Sequence, residues 1–234
     1  MIRWPVSAHG TPVSLAFPSY TRAEVAADRI LHVTGLGLAL AATVWLFATL
    51  GPVVGARQAA TLAIYCLGLL GMLAASAAYA MAHPGRMKAR LRQVDRAMVF
   101  VMIAGSYTPF AVDALEPAVG LPLCAAVWGL ASVGVGLKLA RVECRERTWI
   151  ALYLAMGWLL LAVLPWFVAA LPGSVLALLL GGGAVYTIGS LIHAHAAVRF
   201  HNVVWHAMVL VAASLHFAAV IRMVGAAPAS LTGS

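Results

Sequence analysis

Residues 28–50 read DRILHVTGLGLALAATVWLFATL. Past Asp28, Arg29 and His32 the run holds no ionisable side chain. A helix needs about 20 mostly apolar residues to cross a bilayer core, and this run supplies them. The chain repeats the pattern. Further apolar runs cover Gln58 to Ala82, Asp95 to Val112, Val119 to Ala140, Thr148 to Phe167, Ser174 to His195 and Asn202 to Val224. Of the 234 residues, 63% are hydrophobic and only 9% are Asp, Glu, Lys or Arg, and the mean hydropathy is +0.96. A soluble domain carries about 25% charged residues, so this chain cannot cover a globular surface in water. The expected fold is all-α, a bundle of seven transmembrane helices. The expected organisation is an interfacial segment at 1–27, a spanning domain at 28–224 and a tail at 225–234.

The formal net charge of +8 does not point to nucleic acid, because the basic residues fall in loops. Arg86, Lys88, Arg90 and Arg92 lie between spans two and three, with Arg96 beside them. Arg141, Arg145 and Arg147 lie between spans four and five, and Arg199 lies between six and seven. On the other side, the first loop has only Arg57, the third carries Asp113 and Glu116, and the fifth has no charge. Basic loops stay in the cytosol. The bias therefore places the N-terminus inside, with Arg3 and Arg22 in agreement, and the C-terminus outside, in a bacterial inner membrane. Pro5, Pro12 and Pro18 interrupt any signal-peptide core, so the first span is expected to be an uncleaved anchor. Thr21 and Glu24 form a capping-box pattern that predicts a short lead-in helix. Cys66, Cys124 and Cys144 are too scattered for a disulfide framework and read as free thiols.

Ionisable side chains inside spans are costly and mark functional candidates. The spans place Asp28 and His32 at the entry of helix one, Ser76 and Tyr79 at the exit of helix two, Asp95 at the start of helix three, and Asn202 and His206 at the start of helix seven. Four helices thus bring polar groups to one depth, the cytosolic one by the charge bias, around a polar cavity. His216 lies ten residues beyond His206, about 15 Å deeper, and marks the cavity floor. The bland alternatives are that Asp95 caps helix three and that the histidines are hydrogen-bonded core residues. Arg29, Arg96 and Arg222 are expected to reach for headgroups, and His83, His193, His195 and His201 to be solvated near the interface. Ser106, Tyr107 and Thr108 are expected to bond backbone groups freed by Pro109.

The order Glu24-x3-Asp28-x3-His32, Ser76-Ala77-Ala78-Tyr79, Asp95 with Ile103 through Phe110, and Trp205-His206 with His216-Phe217 resembles the hemolysin III proteins. These are bacterial members of the progestin and adipoQ receptor superfamily, which includes the adiponectin receptors. The resemblance runs from about Tyr20 to Val224 and implies seven helices with a cytosolic N-terminus. It also implies a zinc site with a His four residues after the helix-two Ser and a His-x3-His pair opening helix seven, near the helix-three Asp. Zinc lowers the pKa of bound water toward about 7. The implied chemistry is hydrolysis of a lipid amide of the ceramide type, with Asp95 and His206 on the metal or its water and Ser76 orienting the carbonyl. Here two ligand positions hold Ala80 and Asn202, and only His206 remains. The resulting expectation is a degenerate zinc site in which Asp28 pairs with Arg29 or Arg96, in a protein that serves membrane or lipid homeostasis by binding a lipid or fatty acid. The alternatives are a zinc-dependent lipid amide hydrolase and a proton-coupled transporter, channel or cytolysin that uses Asp28, His32, Asp95, His206 and His216 as a relay.

Overall fold

The computed structural model describes residues 20–142, 144–194 and 200–226. Arg3, His195, Arg199 and the three early prolines lie outside the described residues, as does nearly all of the expected tail. Among the described residues there is no strand, and seven helices are long and apolar enough to cross a membrane. They are α1 (Arg22–Thr49), α2 (Ala56–Met81), α3 (Arg86–Ala114), α4 (Pro117–Leu139), α5 (Glu146–Ala170), α6 (Gly173–Ala194) and α7 (His201–Ala226).

The capping box forms, but it opens α1 itself and not a separate lead-in helix. The Thr21 hydroxyl accepts from the Glu24 N–H at 3.3 Å, and the Glu24 carboxylate accepts from the Thr21 N–H at 2.8 Å. Two orphan donors at the helix start are satisfied together. The α1 helix then turns Ile30, Val33, Leu38, Leu40 and Val44 outward, which suits a helix facing lipid.

The largest difference from the sequence expectation is in α3. Its helix starts at Arg86, so Asp95 lies in its third turn and does not cap it. The run Arg86 to Arg92 is helical because Lys and Arg are good helix formers despite their charge. Pro109 has no N–H to give the preceding turn, and the helix passes into a wider turn over Phe110–Ala114.

Helix α5 is broken. It is α-helical over Glu146–Gly157, tightens to a 3₁₀ stretch over Trp158–Val163, and resumes over Leu164–Ala170 with Pro165 in the first turn of that last segment. Proline fits a first turn, where its missing N–H costs nothing, but it disrupts the helical ladder behind it. The Tyr107 hydroxyl fills the break: it donates to the Gly157 carbonyl at 2.8 Å and accepts from the Leu160 N–H at 2.8 Å. Tyr107 therefore serves α5 and not its own helix, which is a correction to the sequence expectation. Ser106 and Thr108 bond backbone carbonyls of their own helix, at Ile103 and Ala104, and not the Gly105 carbonyl that Pro109 leaves without its helical donor.

Close crossings rely on small residues. A β-carbon built on Gly105 would stand 3.3 Å from the Ile64 carbonyl oxygen, and one on Gly68 would stand 3.4 Å from that of Val101. Glycine at both positions lets α2 and α3 approach backbone to backbone. Helix α4 lies outside, tied to α3 by the Trp128 indole N–H donating to Thr108 Oγ1 at 3.0 Å. Lys138, buried near the end of α4, places its ammonium 3.6 Å from the centre of the Trp149 ring of α5. Replacing Tyr107 with Phe keeps the ring but strips two backbone groups of α5 of their partner. The expected result is a loss of about 1–3 kcal/mol, read as a lower midpoint of thermal unfolding in detergent.

Candidate functional site

The polar groups converge at the end of the bundle where α3 begins. Nearly two turns into α1, Asp28 faces α7. Its carboxylate oxygen Oδ1 accepts from His206 Nδ1 at 2.6 Å and from the Asn202 amide at 3.3 Å. Asn202 and His206 are four apart, so they lie on one face of α7. His32 is the next turn of α1 and is buried. Its Nδ1 lies 2.7 Å from the Asp28 carbonyl oxygen and 3.7 Å from the Asp28 carboxylate. A carbonyl can only accept, so Nδ1 carries a proton. The other ring nitrogen, Nε2, lies 3.1 Å from the Ser76 hydroxyl of α2, within hydrogen-bonding distance. Asp95 of α3 lies within hydrogen-bonding reach of the same hydroxyl. The rings of His32 and His206 meet edge to face with centroids 4.3 Å apart.

The cluster lies at one end of a cavity of about 800 Å³ lined by six of the seven helices, with α4 contributing nothing. His32, Ser76, Asp95 and His206 line its polar end, with Tyr79, Arg96 and Asn202 close by. Its body is apolar, lined by side chains such as Met72, Met102, Ile103, Phe167 and Leu210. His216 lines the far part, donating from Nε2 to the Leu179 carbonyl at 3.2 Å. A β-carbon on Gly182 would fall 2.4 Å from the His216 ring, so the glycine makes room for it. At the mouth, Tyr20 precedes α1 and lines the cavity. Burial holds its phenol above the ordinary value, and the nearby Tyr79, Asp28 and Glu24 groups add to this, so it presents a neutral hydroxyl.

Several expectations are corrected here. Asp28 pairs with His206 and not with Arg29 or Arg96. The Arg96 guanidinium instead meets Glu146 of α5 at 3.0 Å, and Arg29 Nε donates to the Ala80 carbonyl at 3.4 Å. His193 is not a solvated interfacial residue: it lines the cavity, and its buried Nδ1 has no hydrogen-bond partner among the described residues. His201 lines the mouth beside Tyr20, with ring centroids 5.9 Å apart, outside the Asp28 cluster. Glu146 and Tyr153, which also line the cavity, were missed because a charged helix start and an aromatic within an apolar run give no sign of facing inward.

A model of the family described as haemolysin-III related matches residues 26–217. The chain belongs to the haemolysin III family. It is 30% identical over 192 residues to the hemolysin-3 homolog of Bacillus subtilis (strain 168), covering 82% of this chain and 90% of that relative. It is also 30% identical over 128 residues to hemolysin-3 of Bacillus cereus, covering 55% of this chain and 58% of that protein. No solved structure matches. Membership with seven spanning helices makes this haemolysin III protein a multi-pass membrane protein.

The zinc that the resemblance implies can be tested against the donors. Asp28, His32 and His206 each bring one ligand atom within 4.8 Å of the others, a composition able to hold a metal. Two ligands on one tetrahedral zinc stand about 3.3 Å apart. His206 Nδ1 and Asp28 Oδ1 are 2.6 Å apart, a hydrogen bond that a metal on this triad would have to replace. Both nitrogens of His32 are engaged as well. With alanine and asparagine at the other family positions the three-imidazole set is absent, and the donors gathered here are Asp28, His32 and His206. A double-mutant cycle on Asp28→Asn and His206→Ala is expected to give a coupling of about 1–3 kcal/mol in thermal unfolding.

Proposed function

We propose that this haemolysin III protein binds a single-chain membrane amphiphile, of the fatty-acid or ceramide-like class, in a cavity open toward the cytosol, and that it acts in membrane or lipid homeostasis in the bacterial inner membrane without a conventional zinc site. The carrying observation is the union of one polar end, built from His32, Ser76, Asp95 and His206, with an apolar body inside a cavity of about 800 Å³. Small-molecule sites run from about 300 to 1,000 Å³ and combine apolar walls with a few convergent polar groups. An acyl chain gains about 0.8 kcal/mol per buried methylene, and the polar end receives its head. The walls beyond the His206 cluster are mainly apolar, with Tyr186 and Ser190 among the few polar side chains there, which suits an acyl chain. The basic loops, counted against the acidic and uncharged ones, support the cytosolic placement of the polar end.

Metal-dependent lipid amide hydrolysis is the second reading, and the juxtaposition of Asp28, His32 and His206 is the observation behind it. Elemental analysis of protein purified from zinc-supplemented cells separates the two. The expected zinc content is well below one ion per chain; one stoichiometric zinc, lost in His206→Ala, favours the hydrolase. For the leading reading, native mass spectrometry of the protein released from mild detergent is expected to show one bound single-chain amphiphile. Val209→Trp, which fills the cavity wall, is expected to weaken its retention about tenfold or more, equivalent to about 1.4 kcal/mol.

A further inference from the structure

We propose that α1 carries a docking site for an anionic glycerophospholipid, outside the central cavity, with the phosphate held by Arg22 and Arg29 and an acyl chain lying along the helix below them. The two arginines line a second, more open space of about 510 Å³ together with Tyr20, Val25, Ala26 and Ile30. Arg22 and Arg29 are seven positions apart, about 20° short of two full turns, so they share one face of α1 at about 10 Å along its axis. Arg29 Nε donates to the Ala80 carbonyl at the end of α2 at 3.4 Å. That bond fixes the guanidinium and leaves its remaining N–H donors to a ligand, in the planar fork that suits a phosphate.

The charge on this face has no counterpart in the chain. Among the described residues the ion pairs join other groups, and neither Arg22 nor Arg29 meets a carboxylate. The acids of the same turns are engaged elsewhere. Glu24 accepts from Thr21 and Phe200, and Asp28 accepts from His206 and Asn202. The sequence before Tyr20 holds no Asp or Glu. Lys88 adds a third cation at the same end of α2, where its ammonium donates to the Ala82 carbonyl at 3.0 Å. Guanidinium groups gathered on one face without a carboxylate suit an anion from outside the chain.

The plain alternative is that arginines near a membrane surface reach for any passing phosphate. Two features exceed it: the fixed Arg29 guanidinium, and the face that continues below it. Ala26, Val33, Gly37, Leu40 and Val44 carry on the arginine face at steps of three and four residues, and all are exposed. A β-carbon on Gly37 would meet nothing within 4 Å, so the face is open there. A soluble anion has use for the arginines alone, whereas a phospholipid uses the whole face. A zwitterionic lipid brings an ammonium toward the same guanidiniums and gains less. The charge bias places this end of the bundle in the cytosol, where the leaflet supplies anionic lipid. Tyr20 lines both this space and the mouth of the central cavity, so a docked lipid stands at the cavity rim.

The test uses the full chain in mild detergent, with phosphatidylglycerol and phosphatidylcholine of identical acyl chains added in equal amounts. Native mass spectrometry is expected to show one phosphatidylglycerol retained about tenfold or more over phosphatidylcholine. The double variant Arg22→Gln with Arg29→Gln is expected to abolish that preference. Arg145→Gln with Arg147→Gln removes the same charge from exposed positions at the start of α5 and is expected to keep it. In the unaltered protein, phosphatidylglycerol bearing a photoreactive group high in one acyl chain is expected to mark α1 between Ala26 and Gly37, a result that depends on no variant folding. No preference, equal loss in both double variants, or marking away from α1 overturns the site. Displacement of the lipid by millimolar inorganic phosphate identifies a free-anion site and overturns the lipid as occupant. The amphiphile of the central cavity is expected to be retained equally with and without the two arginines; its loss in Arg22→Gln with Arg29→Gln assigns them to the cavity and overturns a separate site.

Discussion

The hydrogen bond between Asp28 and His206 is the constraint on which the polar end of this bundle depends. It joins the first and last spanning helices across 178 positions of sequence. A carboxylate within a spanning segment is costly unless its lone pairs are met. Here His206 and Asn202 meet them from α7, and the Asp28 backbone carbonyl in turn orients His32. Once the His32 ring is oriented, Ser76 is placed by it, and Asp95 lies against Ser76. The order of dependence therefore runs from one carboxylate on α1 to groups on α7, α2 and α3. Two positions where the resemblance implies zinc ligands hold Ala80 and Asn202, and the carboxylate takes up the imidazole that is left.

The rest of the cavity depends on a defect in α5. A straight helix would lay a continuous wall against α3. The 3₁₀ stretch at Trp158–Val163 instead exposes a carbonyl and an N–H in the middle of the bundle, where water cannot satisfy them. Tyr107 reaches across from α3 and satisfies both. The same helix is tied to α6 by the Trp158 indole donating to Thr187 and to α3 by the Tyr153 hydroxyl donating to the Arg96 carbonyl. Specific polar contacts are what a membrane bundle has to work with, because lipid is as apolar as any helix face and apolar contact alone favours no one arrangement.

Sequence reading placed the seven spans to within a few residues except at the starts of α1 and α3, where an expected separate lead-in segment and a basic run read as loop proved to be further turns of the spanning helices. It also gathered Asp28, His32, Ser76, Asp95 and His206 at one depth, since depth follows from span boundaries and the rise per residue. It went wrong on partners. Asp28 was matched with arginines near it in sequence or charge, yet the arginines found other acceptors and a histidine from the far end of the chain took the carboxylate. His193 looked interfacial because it lies near a helix end, but the crossing of α6 and α7 turns it inward. Tyr107 was read with the proline two residues away, and nothing local shows that a neighbouring helix breaks opposite it.

Fold class, number of spans, family and the identity of the polar residues were therefore set by the amino-acid sequence alone, because apolar length and periodicity are local quantities that a bilayer reads directly. Which polar groups touch was decided only in the tertiary structure. Rotation of each helix about its axis is fixed by packing against neighbours, at Gly68 and Gly105, at Gly182 under His216, and at the break in α5. A change of one residue in register turns a side chain by about 100°, enough to separate Asp28 from His206 or Ser76 from His32.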